Sequence, residues 1–183
     1  MQVIHDNFLA LKAHLAAQIV TVRTVDLWNE QLAFATDEHP LICPAVYIEY
    51  LPVEWAKVGE TLHGTATIVL HIVRNTVADT YTIDGNVADN ISEAMKRFAT
   101  VEAVRYLAEG WQHATCKKLQ LSGSSTDHNH DGYSHDTLSF TTTLLGNTSN
   151  ANNGYVMGVL PPVVVTPNTV PATAPANTGF TIP

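Results

Sequence analysis

Charge is scarce in this chain. Of 183 residues only 14% are Asp, Glu, Lys or Arg, against about 25% in an ordinary soluble domain. A surface so poor in charge is consistent with burial against other subunits, although the Ala- and Thr-rich C-terminal stretch also dilutes the count. Basic residues are scarcer still: nine Lys and Arg stand against 17 Asp and Glu, a formal net charge of −8. No run of Lys or Arg supplies the basic stripe that phosphate neutralisation needs, which argues against direct, sequence-specific nucleic-acid binding. Long apolar runs are missing too. None approaches the roughly 20 residues that cross a bilayer, and the longest, Ala66–Val73, is interrupted by Thr67 and His71. No membrane partner is expected. Met1–Val20 lacks the basic start, apolar centre and small-residue cleavage site of a secretory signal.

Cysteine is nearly absent. Cys43 and Cys116 lie far apart, in no metal-ligand spacing, and read as reduced, partly buried thiols of a cytosolic chain. Catalytic signatures are absent as well: there is no Gly-rich phosphate cradle, no nucleophile elbow and no zinc-protease helix motif. The chain reads as non-enzymatic, with no cofactor. At this length one domain can bury a real core.

What is present is strong patterning. Val46, Ile48 and Tyr50 alternate along Ala45–Leu51, and Ala66, Ile68, Leu70 and Ile72 alternate along Thr65–Val73. Successive strand side chains point to opposite faces, so the spacing predicts an antiparallel pair, joined by a turn region around Gly59 and covered by helices. Ile4, Phe8, Leu11, Leu15 and Ile19 recur at three and four, which predicts a helix over Val3–Ala17. His5 and His14 read as solvated or rim positions. Val20–Trp28 is rich in β-branched residues and predicts a strand. Asn29–Pro40 reads as a loop, and Tyr81–Ile83 as a brief sheet extension. Asn90 with Glu93 predicts a capping box opening a helix over Ile91–Glu109, with Ile91, Met95, Phe98, Val101, Val104 and Ala108 on one face and Gly110 as its C-terminal cap. His113–Ser122 and Ser134–Leu145 are strand candidates around a polar loop at Gly123–Gly132. In the last strand Leu138, Phe140, Thr142 and Leu144 share one face, and Thr137, Ser139, Thr141 and Thr143 the other. The plan is α+β, α-β-β-β-α-β-β, with a mainly antiparallel sheet flanked by two helices. The domain spans 1–146. Residues 147–183, rich in Pro and Thr, form an extended C-terminal arm.

The most conspicuous polar cluster is Asp127-His128-Asn129-His130-Asp131, followed by His135 and Asp136. These residue types bind zinc and similar ions, but in a hairpin loop they are also the ordinary turn formers. A solvated, partner-facing loop is preferred to a metal site. Glu49 and Glu54 read as outward positions that blunt a strand edge. Trp28, Trp55 and Trp111 each end an element, where core or interface packing is the default.

One segment exceeds generic patterning: Val25-Asp26-Leu27-Trp28-Asn29-Glu30-Gln31-Leu32, a polar spacer, His39-Pro40, and Pro44-Ala45-Val46-Tyr47-Ile48-Glu49-Tyr50. This aspartate-led aromatic strand, polar loop and Pro-Ala-Val strand after a first helix resembles the tail terminator, or tail-completion, proteins of bacteriophages. The later order (long strand, second helix, paired strands around an Asp/His-rich hairpin) fits as well. The resemblance covers Val3–Leu145, and the arm lies outside it. It implies a structural virion protein of a long-tailed phage, assembled in the host bacterial cytoplasm. A homo-oligomeric ring, usually a hexamer, would cap the tail tube and join it to the head–tail connector and neck proteins. Such a ring needs two different complementary patches per protomer. The expected partner surfaces are the 122–136 hairpin with Asp127, His128 and His130, the Glu49–Gly64 loop with Glu54 and Trp55, and the arm with Val163, Val164 and Val165. Two alternatives stand beside this reading: another neck, head-completion or baseplate component, or a small metal-binding protein or enzyme using the Asp127–Asp136 cluster.

Overall fold

The structure, a computed structural model, describes residues 2–35, 40–75, 87–127 and 132–147, and the backbone alone for 87–94 and 147. The elements run α1 (Gln2–Gln18), β1 (Thr24–Leu27), a 3-10 turn (Gln31–Phe34), β2 (Ala45–Tyr50), β3 (Glu54–Val58), β4 (Thr61–Asn75), α2 (Val87–Ala108), β5 (Gln120–Asp127) and β6 (Tyr133–Asn147). The fold is α+β, as the patterning predicts. Six strands form one sheet in the order β1-β2-β4-β6-β5, with β3 also paired to β4. Among the described residues only β1 with β2 is parallel.

The sheet is organised on β4 and β6, which pair over their whole lengths from Thr61 opposite Asn147 to Asn75 opposite Tyr133. The other side of β4 is shared. Its C-terminal half takes β2, with Ile48 opposite Leu70, and its N-terminal end takes β3, with Trp55 opposite Gly64. Both helices lie on one face. Leu11, Leu15 and Ile19 of α1 and Val104 and Ala108 of α2 pack with Val46, Ile48, Ile68, Leu70, Ile72, Leu138 and Phe140. These are the residues the period-two and period-three-to-four patterns select. Among the described residues the opposite face is covered at one end, where Leu32, Trp28 and Leu41 pack on Ala45, Tyr47 and Val73. That second cover is why Ala45–Ile48 is buried on both sides.

Three expectations need correction. Glu49–Gly64 is not a loop but contains β3 and a two-residue turn at Gly59-Glu60; every residue of β3 is exposed, so no apolar rhythm marks it. The strand placed at His113–Ser122 lies further on, over Gln120–Asp127, and its first seven residues are exposed. Buried Leu119 ends the connection before it. Asn90 does not cap α2, which is already helical from Val87. Gly110 has the positive φ of 75° that a glycine cap takes. The Tyr81–Ile83 extension and the arm after Asn147 lie outside the described residues.

Candidate functional site

Two kinds of feature stand out against this frame: apolar side chains left in solvent at the sheet margins, and polar side chains buried on its open face. At the β1 margin Leu27, Phe34 and Ile42 are exposed, Phe34 by 72%. At the opposite margin α2 lies over β6 and β5, held by Arg97 to Asp136 and by Glu109 accepting from the Leu121 amide. There Met95, Phe98 and Tyr106 face outward, Phe98 by 59%, with Leu121 of β5 half-exposed nearby in the sheet. The helix face assigned to the core is therefore split. Val104 and Ala108 are buried, Val101 is partly buried, and Met95 and Phe98 turn to solvent.

The two hairpins lie at opposite ends of the strands. The β3–β4 turn sits beside Thr61, and the β5–β6 connection sits beside Asn75, because antiparallel register sets Tyr133 against Asn75. Glu54 and Trp55 are on the first hairpin, and both are exposed, Trp55 by 38%. Asp127 ends β5 in the second. His128, His130, Val163, Val164 and Val165 lie outside the described residues.

The polar cluster read from the sequence is divided by strand alternation. Asp136 points to the helix face, where Arg97 donates to both its oxygens at 2.9 and 2.6 Å and Thr126 donates at 2.6 Å. Burial raises its pKa, but these hydrogen bonds outweigh it and hold the carboxyl below its ordinary value. His135 points to the other face. Among the described residues no group of three His, Cys, Asp or Glu side chains is arranged to hold a metal ion.

His135 instead joins residues far away in the chain. His71 Nδ1 and His135 Nε2 are 2.9 Å apart, and His71 Nε2 is 2.9 Å from Glu49 Oε2. Asp127 Oδ2 lies 3.9 Å from His135 Nδ1. The row Glu49–His71–His135–Asp127 thus runs diagonally across β2, β4, β6 and β5. Both imidazoles are buried, at 7% and 6% exposure. Trp28 lies flat on His71, with ring centroids 4.0 Å apart and planes within 1°, and it reaches His135 at 5.6 Å. Desolvation, the largest influence, lowers the His71 pKa against the opposing pull of Glu49. Glu49 is therefore a hydrogen-bond acceptor inside the sheet face, not the edge-blunting charge expected. Just after Trp28, Glu30 has φ 53°, a left-handed conformation that costs a non-glycine residue energy.

Sequence reasoning missed this row, and also the buried Asn7, which accepts from Tyr50 Oη at 2.6 Å and donates to Thr115 at 3.3 Å. The row's four members were each visible, His71 as a histidine inside an otherwise apolar strand, but nothing in sequence order joined them. The open part of the same face carries the Thr/Ser row and a groove of about 540 Å³ lined by Thr65, Thr141, Thr143, Gln120, Lys117 and Lys118, among others.

No protein-family model and no curated protein matches the chain. Among solved structures, it aligns with a chain from the virion of a native gene transfer agent (GTA) particle. The two share 12% identity and a TM-score of 0.46, over 76% of this chain and 94% of that one. Nothing about activity or partners follows from a likeness that distant.

Proposed function

We propose that this chain is a structural protein of a long-tailed bacteriophage virion, of the tail-terminator kind, which closes into a hexameric ring between tail tube and head–tail connector. The observation that carries the reading is the exposure of large apolar side chains on both flanks of one sheet, Leu27, Phe34 and Ile42 beside β1 and Met95, Phe98 and Tyr106 on α2, which we assign to two different contact patches. Two different patches per protomer make a head-to-tail contact, and a head-to-tail contact closes into a ring when the rotation allows. Neighbours joined margin to margin leave the two strand ends pointing away from the ring plane. The β3–β4 hairpin with Glu54 and Trp55 then serves one axial partner, tube or neck, and the β5–β6 hairpin with Asp127 serves the other. The Pro-Ala-Val strand and the segment before it add their resemblance to that family, and the Val163–Val165 stretch of the arm is assigned to a neighbouring subunit. The protein works by assembly, with no catalytic step.

Native mass spectrometry with Phe34→Glu and Phe98→Glu tests the contact. The wild type is expected as a closed ring, alone or once tail-tube protein is added. Each variant alone is expected as a monomer, and a mixture of the two as a dimer through its one intact junction. A wild type that stays monomeric with tube protein, or variants that each dimerise alone, would overturn the head-to-tail ring.

A further inference from the structure

Proton placement along Glu49–His71–His135–Asp127 is dictated by chemistry. The Glu49 carboxylate only accepts, so His71 Nε2 carries the proton of that 2.9 Å contact. A neutral His71 then has a lone pair on Nδ1, and the 2.9 Å contact to His135 closes only if His135 Nε2 donates. A proton added at His135 Nδ1, facing the Asp127 carboxylate 3.9 Å away, leaves both hydrogen bonds intact. A second has only His71 Nδ1 to occupy. It would set two N–H donors against each other at hydrogen-bond distance between two cations, in a site closed to water.

We propose that this row is a proton-operated latch: with at most one of the two imidazoles charged it is closed and clasps the Trp28 ring, and protonation of His71 beside a charged His135 opens it and frees the segment from Trp28 to Phe34. Four features support it. Trp28 covers both rings, so the rings cannot separate under an unchanged indole. Past the Trp28 amide, which donates to the Ile48 carbonyl at 2.9 Å, the segment carries one buried side chain, Leu32, and the hydrogen bonds of Asn29, Gln31 and Ala33 stay within it or reach Leu27. Glu30 follows in a left-handed conformation that relaxes on release. The titratable groups of every packed element are consistent with His71 as the trigger. Glu49 and Tyr47 face it from β2, His135 and Tyr133 stand on the same face of β6, and Asp127 on β5. Burial raises Tyr47 and pushes the Cys43 thiol up to about 11 against the pull of Arg74, so both stay neutral in acid. Burial likewise lowers His71, which places the opening below the ordinary histidine range. Leu27 and Phe34 belong to the β1-margin patch, so opening also disorders that surface. The latch itself is a property of the single chain and stands apart from the ring reading.

The test is an NMR titration of the labelled full chain from pH 8 to 4.5, following the imidazole Cε1–H signals and the three indole N–H signals. Trp28 is expected to shift with the same midpoint as His71, below 6.5, while Trp55 and Trp111 hold still. In His71→Gln the Trp28 shift is expected to vanish. Should that variant not fold, Glu49→Gln is expected to move the His71 and Trp28 midpoints down together by about one pH unit. An unmoved Trp28 while His71 titrates, a shift that survives His71→Gln, midpoints that part in Glu49→Gln, or all three indoles moving at once, would overturn the latch.

Discussion

At the scale of single residues, the best-defined ionic contact is the forked pair of Arg97 with Asp136. Asp136 is 6% exposed, and removing the guanidinium strands its charge. Arg97→Ala is expected to cost about 3 kcal/mol, read as a lower urea midpoint with unchanged slope. Arg97→Lys should recover part of that, since an ammonium cannot fork onto two oxygens. The folded pKa of Asp136 is lowered from 3.8. Its contribution is therefore present above 3.8 and lost as pH falls through the lowered value, and the gap between Arg97→Ala and wild type should close in acid. His71 also loses stability in acid, but higher on the pH scale. Its folded pKa lies below 6.5, so its contribution is complete above 6.5 and declines below it. His71→Gln should flatten stability between pH 6.5 and 5, which a denaturation series at half-unit steps would register. None of these pairings is visible in sequence order. Glu49, His71 and His135 stand 22 and 64 positions apart and meet only through the diagonal offset of two strand registers.

At the scale of elements, the β3–β4 hairpin depends on an absent side chain. A Cβ on Gly64 would sit 2.7 Å from Val53 Cγ1 and 2.8 Å from two ring carbons of Trp55. Gly64→Ala is expected to cost about 1–2 kcal/mol and to tilt Trp55 further into water; a red-shifted Trp55 emission with a lower denaturation midpoint would register it. The same hairpin shows where pattern reading stops. α1, β2, β4 and β6 were legible because each buries one face, and Leu11, Leu15, Ile48, Leu70 and Phe140 mark those faces at the right period. β3 and β5 bury almost nothing. Their strand state comes from pairing with β4 and β6, so Glu54–Val58 read as turn and Gly123–Asp127 as loop. For the candidate interface, Trp55 drew notice as a tryptophan ending an element and Asp127 as part of an Asp/His-rich hairpin; the first is exposed and the second half-buried. The marginal patches were not, since Phe98 and Val104 look alike until the helix is docked.

At the scale of the whole molecule, removing the segment beyond Asn147 asks whether the sheet and helices suffice. A chain ending there is expected to fold and to unfold cooperatively, because the core clusters of the described residues join α1, α2 and the sheet to one another. The same truncation is expected to weaken ring formation; unchanged ring formation and unchanged attachment to tails would remove the arm from the proposal. The apolar margins and the low charge content are the surface that the proposed ring would cover. The long union of β4 with β6 has one more consequence. Fifteen paired residues at about 3.3 Å each make a ribbon of roughly 50 Å, and the chain leaves it at Asn147 beside Thr61. A pull along that ribbon loads its rungs side by side, in shear, and they must yield together; a pull across it would part them one at a time, like a zipper. The protomer is a strut along its strands and a seam across them.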